Sequence, residues 1–185
     1  TGIIKPLSRW VIEAALKQLK VLREKGYQLS VAVNLSARNL QEQDILDFLQ
    51  KMLDQYQLPA SSLVLEVTET AMMQDPDHAL RTLKKISDMG IALSIDDFGT
   101  GYSSISYLRN FPLDTLKIDR SFVTALKDGG EGIYSSIATL AYGLGLSVIV
   151  EGVETEEELE AVLRLGGDEI QGYYFAKPMM HTELD

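Results

Sequence analysis

Hydrophobic positions recur at helical spacing at the start of the chain. Ile4, Leu7, Val11, Ala15, Leu19 and Leu22 predict an amphipathic helix from Ile3 to Lys25, with Pro6 in its first turn, Gly26 as its stop and Trp10 in the core. A short β-branched strand around Val31 and Val33 ends on Asn34, and a helix is predicted over Asn39–Tyr56. Strand, helix and strand follow as Leu63–Glu69, Asp75–Gly90 and Ile91–Ile95, the last running into Asp96 and Asp97. Ser103–Arg109 reads as a short helix and Leu113–Asp119 as a strand; Asp128–Gly132 reads as a surface loop before a helix over Ile133–Tyr142. Strand Ser147–Val150 leads into Glu151-Gly152-Val153-Glu154. A helix then opens with the capping box Thr155/Glu158 and carries Leu159, Val162 and Leu163 on its apolar face. Glu169–Ala176 is the last predicted strand, ended by Pro178.

After the leading helix, strand and helix alternate, with strands about every 30 residues, as in parallel βαβ units. No low-complexity segment or interior linker interrupts residues 1–185, so the chain reads as a single domain. With 185 residues, 45% hydrophobic and 24% charged, it has the length and balance to bury one substantial core. The absence of cysteine removes disulfides and thiolate metal sites. A net charge of −10 argues against a general nucleic-acid groove but leaves room for a phosphate ligand bridged by cations.

The polar groups gather at one end of the strands: Asn34, Glu66, Asp96 with Asp97, Lys117 with Asp119, Glu151 with Glu154, and Gln171. In a parallel α/β barrel the C-terminal strand ends meet at the face that holds the active site. Asn34, Glu66, Asp96 and Asp97 offer only oxygen donors, which suits Mg²⁺ or Mn²⁺ rather than zinc. Two such ions about 4 Å apart would clamp a phosphodiester, with Lys117 and Glu151 as candidates for charge stabilisation and for the base. On the residues alone, plainer readings stand beside these. Asp96 would cap a helix, Glu66 would pair with Lys117, Asp119 with Arg120, and the acids from Glu156 to Glu160 would form a solvated helix face. Met72-Met73 and Met179-Met180 read as packing, and His78 and His181 as exposed.

Taken in order, Val33-Asn34-Leu35-Ser36, Leu65-Glu66-Val67-Thr68-Glu69, Asp96-Asp97-Phe98-Gly99-Thr100-Gly101-Tyr102-Ser103-Ser104, Leu116-Lys117-Ile118-Asp119-Arg120, Val150-Glu151-Gly152-Val153-Glu154-Thr155 and Ile170-Gln171-Gly172-Tyr173 resemble the motifs of the bacterial EAL domains, which linearise cyclic di-GMP to 5′-pGpG. The resemblance implies an α/β fold, a (β/α)8 TIM-like barrel of the EAL type, here with six strands and without the first two. It implies two Mg²⁺ or Mn²⁺ ions held by Asn34, Glu66, Asp96 and Asp97, with Lys117 and Glu151 at the attacking water and Gln171 near the substrate. Glu154 would support Lys117, and Glu69 would brace the loop after the aspartates. The partners implied are cyclic di-GMP, a second copy in a homodimer and an upstream sensory or GGDEF-type domain. The implied location is cytoplasmic, in a soluble or membrane-anchored parent protein. The family's Glu-Ala-Leu segment, with one further metal-binding glutamate, is expected upstream of Thr1. The competing implication is a catalytically inactive EAL-type cyclic di-GMP receptor or regulatory interaction domain.

Overall fold

The computed structural model describes residues 3–99, 105–180 and 183. Six strands appear among them: β1 (Val31–Asn34), β2 (Leu63–Thr68), β3 (Ala92–Phe98), β4 (Thr115–Ile118), β5 (Ser147–Glu151) and β6 (Glu169–Gln171). Their order in the sheet is the chain order, and β1/β2, β4/β5 and β5/β6 pair in parallel. The helices between them are α1 (Ile4–Glu24), α2 (Ala37–Leu40), α3 (Ile45–Tyr56), α4 (Glu69–Met73), α5 (Pro76–Asp88), α6 (Ile105–Leu108), α7 (Arg120–Ala125), α8 (Glu131–Gly143) and α9 (Glu156–Leu165). This is the α/β alternation of a TIM-like barrel, with six of the eight strands such a barrel needs.

The chain forms two compact units, Thr1–Ser94 with Ser103–Leu113, and Ile95–Tyr102 with Asp114–Asp185. In the first, β1 and β2 pair with Val33 opposite Leu65 and Asn34 opposite Glu66. Leu63, Leu65 and Val67 are buried, while Val64, Glu66 and Thr68 alternate with them on a half-buried face. Helix α1 buries Ile12, Leu16, Leu19 and Leu22. Leu7 and Val11, predicted on its apolar face, are exposed, and so is Trp10 at 66%. The inward stripe is therefore rotated from the predicted one. The predicted helix Asn39–Tyr56 divides into α2 and α3, because Ser36 and Asn39 close a capping box that starts a separate turn. Glu42, just beyond α2, is buried and accepts Arg9 and Asn39 side chains.

In the second unit, β4 pairs with β5 and β5 with β6. Leu116, Ile118, Val148 and Val150, in register on one face of the strands, are fully buried. Helix α8 begins at Glu131, inside the predicted loop, and lays Tyr134, Ile137, Ala138 and Ala141 against this core. The Tyr134 hydroxyl donates to Gly166 O at 2.6 Å, and burial pushes its pKa well up. Helix α9 carries both halves of the predicted capping box. Glu158 is buried in that box rather than solvated, and Leu163 is 64% exposed rather than packed.

The last strand is three residues long, not eight. The chain leaves the sheet at Gly172, where turn bonds run from Phe175 N to Gly172 O and from Tyr174 N to Val153 O. Tyr173, Tyr174, Phe175, Met179 and Met180 are exposed as a result, so the second methionine pair does not pack. Helix α7 has no counterpart in the hydrophobic pattern. No helix among the described residues is long and apolar enough to cross a membrane.

Candidate active site

The predicted site residues fall into the two units. In the first, Asn34 closes β1 and Glu66 stands opposite it on β2, on the face away from Val33 and Leu65. Leu35 N donates to Glu66 O at 2.8 Å and carries the parallel register past the end of β1. Thr68 accepts from Ala71 N and caps α4, whose first residue is the buried Glu69. Of the loop that Glu69 was expected to brace, Phe98 to Ser104, residues 100–104 lie outside the described residues, as does His181. His78 is half-buried, with Nε2 3.1 Å from Leu40 O.

In the second unit the aspartates belong to β3 itself, which runs past the predicted Ile95 to Phe98. Asp97 has φ +54°, one of two non-glycine residues among those described in the left-handed region. A strand would send adjacent side chains to opposite faces; the left-handed residue breaks that alternation. Loss of solvent around the Asp97 carboxyl raises its pKa first. The neighbouring Asp96 and Asp119 add to the rise, and Lys117 opposes it. Asp119 lies at the end of β4 and caps α7, accepting from Ser121 N at 2.9 Å; this bond and the Ser121 side chain hold its pKa down. It does not take Arg120 as a local partner: Arg120 Nη2 lies 2.9 Å from Glu154 Oε2.

Lys117 is the centre of this unit. Leu116 and Ile118 flank it on β4 and are buried, so strand alternation sends the lysine to the other face, where it is 5% exposed. Its ammonium is 2.6 Å from Glu151 Oε1 and 3.3 Å from Asp96 Oδ1. Gln171 stands opposite Glu151 in the β5/β6 register, and its Nε2 donates to the same Oε1 at 2.6 Å. Four strands thus place an ammonium, two carboxylates and a carboxamide in one bonded chain. A buried ammonium needs such partners, since desolvation would otherwise cost several kcal/mol. A cleft of about 530 Å³ opens beside the group, lined by Arg120, Glu151, Glu154, Gln171, Tyr173 and Lys177 among others.

Two residues to which sequence reasoning gave no role in the site, Gly152 and Arg120, shape this cleft. Gly152 has φ +73°, and a Cβ there would lie 2.6 Å from Arg120 Cβ and 2.8 Å from its Cδ. The glycine directly after Glu151 was the available signal, because a turn needing positive φ and close approach selects glycine. Among the described residues, no group of three or more His, Asp or Glu side chains converges as on a metal ion. The donor set itself, Asn34, Glu66, Asp96 and Asp97, is all oxygen and fits hard divalent cations.

The EAL domain model matches residues 1–178. The signalling protein YkoW of Bacillus subtilis is 41% identical over 187 residues, covering 100% of this chain and 23% of that protein. The bifunctional diguanylate cyclase/cyclic di-GMP phosphodiesterase MucR of Pseudomonas aeruginosa is 40% identical, covering 100% of this chain and 27% of that protein. The chain therefore spans about a quarter of the length of these curated relatives. Among solved structures, the PaMucR phosphodiesterase in complex with c-di-GMP aligns with TM-score 0.94 and 39% identity, over 99% of this chain and 75% of that one.

Proposed function

The chain belongs to the EAL domain family, and from that premise we propose that it is the phosphodiesterase part of a cyclic di-GMP hydrolase, opening one phosphodiester bond to give linear 5′-pGpG. The observation that carries the reading is the Lys117–Glu151–Gln171 group with Asp96 beside it. MucR, similar along this whole chain, bears cyclic di-GMP phosphodiesterase in its name, and the PaMucR structure contains c-di-GMP.

In the proposed roles, Asn34, Glu66, Asp96 and Asp97 are the oxygen donors available to two Mg²⁺ or Mn²⁺ ions. When bound, such ions neutralise the carboxylates, polarise the phosphate and lower the pKa of water. Glu151 is the group that accepts the proton of the attacking water. Its Oε1 is fixed by both Lys117 and Gln171, so the carboxylate holds one orientation without reorganising during the reaction. Lys117 balances the charge of Glu151 and Asp96 and meets the negative charge that builds on the phosphate. Gln171 holds Glu151 from the β6 side and borders the cleft in which a substrate would lie. Glu69, at the start of α4, braces the loop after the aspartates, and Glu154 supports Lys117.

The test is incubation of the chain with cyclic di-GMP and Mn²⁺, with products separated by ion-pair chromatography. The expected result is 5′-pGpG, with a loss of about 10²- to 10⁴-fold in Glu151→Gln, the range for a positioned general base. Tight binding of cyclic di-GMP without any pGpG would overturn hydrolysis and leave a receptor.

A further inference from the structure

We propose that Arg120 is a positioning residue for Glu151, acting through Gly152. The inference rests on the phosphodiesterase reading for its effect on rate, and on geometry alone for the contact. Arg120 opens α7 directly after the Asp119 cap, so the end of β4 fixes where its side chain starts. Its aliphatic stem lies where a Cβ of residue 152 would be, with Arg120 Cβ and Cδ at 2.6 and 2.8 Å from that position. Gly152 follows Glu151 immediately and has φ +73°, so the stem covers the backbone at the turn that ends β5. Beyond the stem, the guanidinium pairs with Glu154, two residues further on.

The other side of the turn is held independently. Val153 is fully buried, Val153 N donates to Gln171 O at 3.3 Å, and Glu154 N donates to Glu158 Oε2 at 2.8 Å. These bonds fix Val153 and Glu154 but leave the Gly152 backbone, permissive by nature, to be held by the arginine stem. The ion pair is the lesser part of the contact. Its side chains are 55% and 34% exposed, and pairs so open to water contribute little. The packed stem does most of the positioning, as long cationic side chains do when their methylenes cover a neighbour. A glycine free to rotate would let the Glu151 carboxylate swing away from Lys117 and Gln171, and misplacement on the order of 1 Å costs up to about 10²-fold in rate.

The experiment needs a readout that a purely structural contact would not move. The side-chain carboxamide of Gln171, bonded to Glu151, supplies one: its NMR signal, assigned by its disappearance in Gln171→Met, reports whether Glu151 is in place without any substrate. In Arg120→Ala this signal is expected to move towards that of a free glutamine, with kcat lowered about tenfold to a hundredfold and KM within about twofold. In Arg120→Met, which keeps most of the stem, the signal is expected to stay and kcat to remain within about threefold. Gly152→Ala, whose added methyl group takes the space of the stem, is a second route and is expected to displace the same signal. An unmoved Gln171 signal in Arg120→Ala, or in Gly152→Ala should Arg120→Ala not fold, overturns the inference. So does a moved signal with unchanged kcat in an active enzyme. If the signal responds as described but the wild type produces no pGpG, the phosphodiesterase reading fails and the positioning contact stands.

Discussion

Replacing Lys117 with methionine removes a cation that bridges Glu151 and Asp96 while keeping the length of the side chain. At 2.6 and 3.3 Å, and with an effective dielectric constant of about 20, the two attractions amount to roughly 6 and 5 kcal/mol in gross terms. Most of this is cancelled by the desolvation of an ammonium whose side chain is only 6% exposed, which methionine does not suffer. What remains is the cost of leaving two carboxylates without their counter-charge. Removing one partner of a buried pair costs about 3–5 kcal/mol, and because Asp96 and Glu151 keep 14% and 20% of their side-chain exposure the lower end, about 3 kcal/mol, applies here. For a chain of this length each kcal/mol is worth roughly 2–4 °C, so the thermal midpoint in EDTA should fall by about 6–12 °C. Glu151→Gln placed on Lys117→Met should recover part of that fall, because it removes one of the two stranded charges. Millimolar Mg²⁺ should narrow the gap as cations replace the lost one. The assay is calorimetry or circular dichroism at pH 7.5, with and without EDTA. A fall of less than about 2 °C in EDTA would refute the argument, since it would mean that Lys117 does not hold these carboxylates together.

Two further predictions concern the supporting structure. Arg9→Met should lower the midpoint by about 4–10 °C, because Glu42, with 4% side-chain exposure, loses the cation that balances it and keeps only the Asn39 amide; the Arg9→Met/Glu42→Gln double variant should be more stable than Arg9→Met, and if it is not, Glu42 is not stranded by the loss. Burial pushes the Glu158 carboxyl up, but the Lys127 ammonium and the Glu154 and Thr155 amides reverse this and leave it below its ordinary value. A depressed folded pKa contributes stability above the ordinary value, near 4.3, that is lost as pH falls through the folded value, so denaturant titrations of Glu158→Gln should show a flatter loss of stability between about pH 5 and pH 3 than wild type. A variant curve parallel to wild type over that window would count against the assignment.

Much of the site was legible because parallel βαβ units put chemistry at one kind of place, the C-terminal end of a strand. Period-two alternation was enough to mark Glu66 and Lys117 as odd among apolar neighbours, and the ordered motifs then named the family. The Thr155/Glu158 capping box was equally legible, since both of its bonds join residues three apart. Local signals of this kind are carried by a few consecutive residues, whose conformational choices the sequence alone constrains.

What failed to show depended on partners distant in the chain. The helical period of α1 could not say which of two neighbouring stripes faces the core, so Trp10 was misplaced. The aromatic run after Gln171 has strand propensity to Phe175, yet the sheet ends at Gly172, where the chain turns back on Val153. Arg120 looked like a partner for the adjacent Asp119, but a carboxylate that caps its own helix is already engaged, and the guanidinium reaches Glu154 instead. Lys117 is the clearest case. The sequence by itself determined that a lysine inside an apolar strand must find anionic partners, because an isolated buried charge is too costly to keep. It offered Glu66 as one candidate and Glu151 as another site residue. Only the tertiary structure showed that Glu151 and Asp96 are partners, because the β4/β5 pairing and the course of β3 bring those carboxylates to 2.6 and 3.3 Å from the ammonium, and those placements are fixed by packing across the sheet.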